Sequence, residues 1–152
     1  MIILALDASS THIGYCIGED ADYVISGVFV PKGKADERVA QIVTWALDKI
    51  RRHEPDIVVI EEPAANNSHR NARTDRLLSR VCGAIEAVAI CSDCCFGRVW
   101  PSQVKATGCS KDSTRFAAGV AHKESVGPDE ADAIGVWLAW LTKGGSSAPD
   151  EF

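Results

Sequence analysis

The first thirty residues alternate between apolar runs and short polar turns. Residues 2–6 are apolar and mostly aliphatic, which predicts a buried strand. Two more strands are predicted at residues 12–18 and 23–30, and the acidic turn at residues 19–22 separates them. Because connections this short join antiparallel neighbours, the chain is predicted to begin with an antiparallel three-stranded ribbon.

Longer periodic segments alternate with short strands in the rest of the chain. Apolar residues recur at helical spacing over residues 36–52, and residues 57–60 form a continuous β-branched run, typical of a strand covered on both faces. Since parallel strands need crossover helices, this order predicts an α/β fold with a mixed sheet and helices on its faces. The remaining predicted elements are a helix with apolar positions from 77 to 88, a strand at 96–100, a turn or short helix at 101–107, a helix within 111–123 and a final helix at 128–142.

The final predicted helix contains an uncharged run, residues 133–141, which includes Trp137 and Trp140. A helix that is apolar on all sides has to be buried all round. Its tryptophans therefore belong either to the core of the chain or, in part, to a subunit interface, where aromatic residues are favoured.

The chain is 152 residues long and 46% apolar, which is enough for one domain to bury a sizeable core without disulfides. We predict one domain over residues 1–143 and a flexible tail over 144–152, which is rich in glycine, serine and acidic residues. No apolar run reaches the length that crosses a membrane, and the first residues lack the pattern of a signal peptide. We therefore expect a cytoplasmic protein without a membrane partner or a small-molecule cofactor.

Six cysteines raise the question of zinc binding. Cys91, Cys94 and Cys95 form a C-x-x-C-C cluster, and Cys109 could complete a set of four ligands. Structural zinc sites usually combine two ligand pairs, and only one pair is present here. In a cytoplasmic chain the prediction is therefore free thiols that are buried or incidental.

Acidic residues stand at the ends of elements that the predicted fold brings together. Asp7 follows the first strand, and Glu61 and Glu62 follow the fourth. Asp129 and Asp132 open the last helix and share a helix face. If the two buried strands are neighbours, their carboxyl ends meet at the sheet edge where open α/β sheets place ligands. Since strand side chains alternate between faces, one glutamate should point into the site; Glu61 is preferred, with Glu62 as the alternative.

A cluster of four carboxylates needs neutralising. Like charges about 4 Å apart repel by roughly 4 kcal/mol per pair at an effective dielectric constant of about 20, so either pKa values rise or divalent cations bind. Oxygen-only donors suit Mg²⁺, with Mn²⁺ as a substitute, and two such ions can hydrolyse a phosphodiester. Taken singly, each acid also has an ordinary explanation, since aspartate forms turns and acidic residues stabilise helix N-termini.

Basic residues are concentrated in one segment, although the net charge of −5 argues against nucleic-acid binding through bulk charge. Three arginines of this segment fall in one stripe of the predicted second helix, beside the expected acidic centre. A solvated helix face is the alternative explanation of the stripe. The candidate DNA-binding residues of the segment are Asn66, Asn67, Arg70, Arg73, Arg76 and Arg80.

Four motifs together resemble RuvC-type Holliday junction resolvases, which have an RNase H-like fold. The motifs are the first strand and turn at 3–15 (ILALDASSTHIGY), an acidic motif at 59–63 (VIEEP), the segment at 101–105 (PSQVK) and the helix start at 129–133 (DEADA). The resemblance extends over residues 2–141 and implies a five-stranded mixed sheet in the order 3-2-1-4-5, a homodimer, and two Mg²⁺ ions that support symmetrical nicking of four-way DNA junctions. The site residues that it implies are the metal ligands Asp7, Glu61, Asp129 and Asp132, with Lys105 and Lys111 near the scissile phosphate.

The sequence departs from the family in two respects. Bacterial members are longer and more basic, and they carry an aromatic residue after the glutamate strand, where residues 63–70 offer only His69. The departure puts base unstacking at the junction in doubt. The short acidic form is more similar to a phage or viral relative, which would act in the host cytoplasm.

Other functions fit parts of the pattern. A nuclease of the same fold could act on RNA, as in pre-ribosomal RNA processing, but the middle acidic strand of those proteins differs. The turn at residues 7–14 also resembles the phosphate loop of sugar-kinase and actin-type ATPases, which need two such domains. A non-catalytic nucleic-acid-binding module is a further alternative. His122 is either a base for the attacking water or a surface histidine.

Overall fold

The computed structural model describes residues 1–63 and 72–142. Within these ranges one five-stranded sheet carries helices on both faces. The strands are β1 (Ile2–Ala8), β2 (Ile13–Glu19), β3 (Asp22–Phe29), β4 (Ile57–Glu61) and β5 (Cys95–Val99). The helices are α1 (Ala35–His53), α2 (Ala72–Cys91), α3 (Pro101–Ala106), α4 (Thr114–Val120) and α5 (Pro128–Thr142). None of these helices combines the length and the apolar character that crossing a bilayer requires.

The order of the strands is β3-β2-β1-β4-β5, which confirms the predicted five-stranded mixed sheet. β2 is antiparallel to both β1 and β3, whereas β4 runs parallel to both β1 and β5. The parallel connections run through α1 and α2, as parallel crossovers require. The carboxyl ends of β1, β4 and β5 therefore meet at one edge of the sheet.

Side-chain alternation along β1 and β4 divides the core into two layers. Odd-numbered residues such as Ile3 and Val59 belong to the layer beneath α5. Even-numbered residues such as Leu4 belong to the layer beneath α1 and α2. Because Asp7 and Glu61 continue the odd-numbered series, they lie on the α5 side of the sheet.

α5 lies across the sheet and supplies much of one core layer. Its tryptophans, Trp137 and Trp140, are 1% and 2% exposed, so both belong to the core of the chain and not to a subunit interface. Glycines in β2 allow the close approach. A Cβ atom added at Gly14 would stand 1.9 Å from the carbonyl oxygen of Asp129, and one at Gly18 would stand 2.4 Å from the Trp137 ring. The bare backbone of β2 thus sets the distance between α5 and the sheet.

The weakly patterned region at 111–123 forms a shorter helix than the sequence predicts, because turns occupy its first residues. The Ser113 hydroxyl donates to the carbonyl oxygen of Gly108 at 2.6 Å and accepts from the backbone N–H of Ser110 at 2.9 Å. These side-chain contacts hold the chain in a turn, and α4 begins only at Thr114.

The cysteines are all free thiols in the structure, and their burial differs. Cys91 and Cys95 are exposed, since they lie at the end of α2 and at the start of the edge strand β5. Cys91 and Cys95 are thus incidental thiols, one of the two kinds that the sequence predicts. The buried cysteines are Cys16, Cys82, Cys94 and Cys109.

Candidate active site

A pocket of about 560 Å³ opens at the carboxyl edge of the sheet. Its wall combines the ends of β1 and β4, residues of α3, the loop before α4 and the first turns of α5. The two lysines proposed from the sequence, Lys105 and Lys111, line this pocket. So do all four of the carboxylates that the sequence singled out: Asp7, Glu61, Asp129 and Asp132.

Asp7 occupies the next-to-last position of β1 and lies opposite Gly14 of β2 in the sheet register. The carbonyl oxygen of Asp129 packs directly over Gly14, where a larger residue would not fit. The glycine therefore lets the first turn of α5 approach the end of β1. Three segments that are distant in the sequence meet at this point and bring the Asp7 and Asp129 carboxylates to one pocket.

The carboxyl group of Asp7 is in an unfavourable environment for an anion. Its pKa is raised from 3.8 to about 7. Burial is the largest cause, because it removes the water that would stabilise the charged form. The carboxylates of Asp132, Glu61 and Asp129 raise the pKa further, and the positive charge of Lys111 lowers it. Excess negative charge of this kind is what a bound cation would neutralise.

Asp132 links α5 to the loop before α4. The backbone N–H of Lys111 donates to Oδ1 of Asp132 at 2.7 Å. Burial raises the pKa of the Asp132 carboxyl, and both this hydrogen bond and the charge of Lys111 act in the opposite direction. The bond orients the carboxylate and holds the backbone of Lys111 at the pocket wall.

The two glutamates after β4 have different surroundings. Glu61 is the last residue of β4 and lies on the α5 side, with Asp7. Glu62 also reaches the pocket wall, but its carboxylate is paired with the guanidinium group of Arg98. Arg98 donates a second hydrogen bond, of 2.8 Å, to Glu86 of α2. Glu62 is thus part of an ion-pair network on the other side of the sheet, which favours Glu61 as the ligand.

The donor set fits a hard divalent cation in chemistry and in charge. It consists of carboxylate oxygens, which Mg²⁺ and Mn²⁺ prefer, and the pKa of Asp7 is raised first by burial and then by the negative charges of its neighbours. Across residues 1–63 and 72–142, however, no three acidic, histidine or cysteine side chains are arranged to hold one ion together. Holding one ion with three of the four carboxylates therefore requires side-chain rearrangement.

The predicted arginine stripe lies at the start of α2, outside the pocket wall. Arg73 and Arg76 are exposed there. Arg80 is also exposed, but it pairs with Asp36 of α1 at 2.8 Å, so its charge is partly compensated. The other three candidates of this segment, Asn66, Asn67 and Arg70, lie outside the described residues.

The loop before α4 contributes pocket residues that the sequence analysis missed. Ser110 and Asp112 line the pocket on either side of Lys111. Their position next to a singled-out lysine was the signal that could have found them. His122 lies outside the pocket lining, exposed at the end of α4 with a φ of 51°. This placement favours the surface-histidine explanation over a base for the attacking water.

A second polar cluster secures the start of α5 from the side opposite the pocket. Glu130 is 8% exposed, and its carboxylate accepts hydrogen bonds from the Ser26 hydroxyl of β3 and from Nζ of Lys123, the latter at 2.5 Å. Lys123 Nζ also donates to the carbonyl oxygen of Ser26 at 2.9 Å. Sequence reasoning missed this cluster, because Ser26 and Lys123 belong to no motif and only the fold brings them to Glu130.

We expect Glu130→Gln to lower the free energy of unfolding by about 2 kcal/mol, because a neutral amide leaves the Lys123 ammonium without its counter-charge. The loss stays below that of a fully buried pair, since 34% of the Lys123 side chain is exposed. Urea unfolding measures the change. Asp48→Asn is the matched control, because it breaks an exposed pair with Arg52 on α1 and should cost less than about 0.5 kcal/mol. Equal losses in the two variants would contradict the assigned role of the cluster.

Comparisons with known proteins identify the fold. No protein-family model matches the chain, and no curated protein matches it in sequence. The structure is similar to that of T. thermophilus RuvC in complex with a Holliday junction substrate, with a TM-score of 0.80 and 20% identity over 97% of this chain and 98% of that chain. A further Thermus thermophilus RuvC structure gives a TM-score of 0.74 and 22% identity over 95% and 97% of the two chains.

A more distant structural relative extends the comparison. The yeast mitochondrial Holliday junction resolvase Ydc2 is similar with a TM-score of 0.58 and 8% identity, over 93% of this chain and 79% of that chain. Together with the two RuvC structures, this similarity shows that the chain has the RuvC-type, RNase H-like fold. The fold that the four sequence motifs predict is therefore confirmed.

Proposed function

We propose that this chain is a metal-dependent endodeoxyribonuclease that cleaves branched DNA, with four-way junctions as its substrate. The observation that carries the proposal is the presence of Asp7, Glu61, Asp129 and Asp132 in one pocket at the carboxyl edge of the sheet. The RuvC-type fold supports it, since a solved RuvC with this fold is in complex with a Holliday junction substrate.

The four carboxylates would hold Mg²⁺, two ions per site, with Mn²⁺ able to substitute. When bound, the ions supply the Lewis acidity and the charge stabilisation that phosphodiester hydrolysis needs. Asp7 contributes a carboxylate whose burial disfavours the anion, so it gains most from a cation nearby. Lys105 and Lys111 are exposed on the pocket wall, where their ammonium groups attract the phosphate and stabilise the negative charge that develops on it.

The proposed DNA path extends from the pocket to the start of α2. Arg73 and Arg76 are exposed there and can contact phosphates without reading the base sequence. Arg80 contributes less in this proposal, because Asp36 partly compensates its charge. Asn66, Asn67 and Arg70 precede this helix in the chain and are proposed to contact the same DNA.

The proposal includes a homodimer that acts in the cytoplasm, or in the host cytoplasm if the chain is encoded by a phage. A four-way junction has to be cut in two strands, and a two-fold dimer presents two equivalent sites for the two cuts. Light scattering of the purified protein with and without junction DNA tests this part of the proposal.

The function is tested by incubating the purified chain with synthetic four-way, flap and linear DNA and with structured RNA, each with Mg²⁺, Mn²⁺ or EDTA. We expect metal-dependent, symmetrically placed nicks in the four-way junction and at least about tenfold slower cutting of linear DNA. Preferential cutting of RNA would overturn the assignment in favour of an RNA nuclease. Junction binding without metal-stimulated cutting would identify a non-catalytic binding module.

The choice between the two glutamates has its own test. We expect Glu61→Gln to slow junction cleavage by at least about a hundredfold, because it removes a carboxylate from the ligand set. Glu62→Gln should stay within about threefold of wild type, since Glu62 pairs with Arg98 instead. Single-turnover cleavage with saturating enzyme measures both rates. A reversed order would assign the ligand role to Glu62.

A further inference from the structure

We propose that Trp100 is a stacking platform for an unpaired base of the DNA substrate, at the rim of the candidate active site. The inference rests on the proposed function, because it adds a substrate contact to the same site. It names the part of the substrate that is recognised, namely a base displaced from its pair near the branch point.

Trp100 is exposed, unlike the other tryptophans of the chain. Trp137 and Trp140 are buried in the core, and Trp45 stacks on the ring of Phe29 with centroids 5.1 Å apart. Trp100, in contrast, is 58% exposed to solvent. A single exposed apolar side chain is common and has no meaning alone, so its position has to carry the argument.

The position of Trp100 is next to the pocket wall. Trp100 directly follows the last residue of β5, at the edge of the sheet where β1 and β4 also end. The backbone N–H of Glu62 donates to the carbonyl oxygen of Val99 at 2.8 Å, which joins the ends of β4 and β5. The next residue, Pro101, lines the pocket together with Lys105 of the same helix. Trp100 is not itself part of the pocket lining, but its backbone directly precedes a residue that is.

The backbone of Trp100 is held firmly. Its N–H donates to Oε1 of Gln103 at 2.7 Å, and its carbonyl oxygen accepts from the N–H groups of Gln103 at 2.9 Å and of Val104 at 3.2 Å. Val104 is itself 3% exposed and packs in the core. An aromatic ring on an anchored backbone loses little conformational freedom when a ligand binds, which favours stacking.

The surroundings of Trp100 are polar and charged, which disfavours an apolar protein surface as the partner of the indole. Lys105 is exposed on the helix that follows Trp100 and lines the pocket, so its ammonium group is available to a phosphate of the same DNA strand. A protein partner that buried the indole would also have to cover the charged pocket wall next to it, which holds Glu62 and Asp112 in addition to the proposed ligands. Base stacking needs no such coverage, because one face of the ring is enough.

The test uses a four-way junction with 2-aminopurine next to the branch point, in Ca²⁺ to suppress cleavage. Stacking on an aromatic ring quenches 2-aminopurine, so wild-type protein and Trp100→Phe should both quench it, and Trp100→Ala should not. The affinity of Trp100→Ala for the junction should fall about 5- to 100-fold, with an unchanged affinity for linear duplex. Ile90→Ala is the matched control, because Ile90 is 59% exposed near the end of α2, at the opposite edge of the sheet. This variant should keep the wild-type quenching of 2-aminopurine and the wild-type affinity for the junction.

The outcomes separate this inference from the proposed function. If the wild-type chain cuts junctions but Trp100→Ala binds them and quenches 2-aminopurine like the wild type, the stacking role is wrong and the nuclease stands. If the wild type does not cut, but quenching depends on Trp100, the stacking role stands and the nuclease is wrong. Equal losses of affinity for junction and duplex would also overturn the stacking role.

A second measurement keeps the inference testable if Trp100→Ala does not fold. The wild-type protein should contain one acrylamide-accessible tryptophan component that is absent from Trp100→Phe. Junction DNA should shield that component from acrylamide, and linear duplex should not. An acrylamide-inaccessible Trp100 in the free protein, or equal quenching with and without junction DNA, would overturn the inference.

Discussion

Asp7→Asn is expected to lower the rate of junction cleavage by at least about a thousandfold and to leave the affinity for the junction within about threefold of wild type. The variant keeps the shape of the side chain and removes the charge with which Asp7 would hold the metal. Single-turnover cleavage and a binding titration measure the two effects. Asp48→Asn, an exposed change on α1 outside the pocket, is the matched control and should cut at the wild-type rate. Undiminished cutting by Asp7→Asn would refute the proposed site.

The same variant has an expected effect on stability that depends on pH. The folded-state pKa of Asp7, about 7, lies above the ordinary value of 3.8. Below about pH 4 Asp7 is protonated in both the folded and the unfolded state, so it does not change the free energy of unfolding. As the pH rises from 4 to 7, the unfolded state releases this proton more readily than the folded state, and the free energy of unfolding falls. The loss in the metal-free protein reaches at most about 4 kcal/mol above pH 7.

Asparagine cannot ionise, so metal-free Asp7→Asn should be more stable than wild type at pH 8 by about 2–4 kcal/mol and equally stable at pH 4. Mg²⁺ or Mn²⁺ should reduce the stability difference between the variant and the wild type at pH 8, because the cation stabilises only the wild-type carboxylate. Thermal and urea unfolding in EDTA and in metal measure both effects. A variant that is less stable than wild type at pH 8 in EDTA would contradict the unfavourable environment of Asp7.

Gly14→Ala is expected to damage folding and cleavage together. The new Cβ atom would stand 1.9 Å from the carbonyl oxygen of Asp129, a backbone atom that cannot rotate away, and 3.4 Å from Cβ of Ala133. Because the new methyl group overpacks this contact, the first turns of α5 would have to move away from the sheet. We expect the free energy of unfolding to fall by about 3 kcal/mol. The shift separates the α5 carboxylates from Asp7, and a displacement near 1 Å costs about a hundredfold in rate.

Gly83→Ala is the matched control for this prediction. Gly83 lies in α2, and a Cβ atom there meets nothing within 4 Å. Because alanine favours a helix, the variant should keep or gain up to about 1 kcal/mol of stability and should cut at the wild-type rate. Thermal unfolding and single-turnover cleavage measure both variants. A Gly14→Ala protein with wild-type stability and rate would show that the approach of α5 to β2 does not position the site.

The hydrophobic pattern predicts most of the architecture because it reports which faces of each element are covered. The run at 57–60 identifies β4 as a strand covered on both faces. The alternation of side chains along β4 puts Glu61 on the same side of the sheet as Asp7. The final helix is predicted at its observed bounds, since its apolar run begins directly after Pro128 and the acidic turn. Local signals of this kind predict the elements and the mixed sheet, whereas the order of the strands, and with it the meeting of the carboxylates, is implied by the resemblance to RuvC-type resolvases.

The contacts that adjust the site depend on how a helix is seated on the sheet, which no local pattern encodes. The need for glycine at Gly14 is visible only once the Asp129 carbonyl lies over it. The partner of Arg80, Asp36, comes from another helix, so the ion pair between α1 and α2 could not be predicted from the arginine stripe alone. The sequence does not distinguish Trp100 from the buried tryptophans, and only the fold shows that Trp100 is exposed.

α5 contributes both to the candidate active site and to the hydrophobic core. Its first turns carry two of the acids, and the remaining turns are almost wholly enclosed, down to both indole rings. We therefore expect the amide protons in the buried turns of α5 to be among the slowest to exchange with solvent. If Asp129 and Asp132 hold the metal as proposed, substitutions within these fifteen residues would change the packing of the interior and the metal site together.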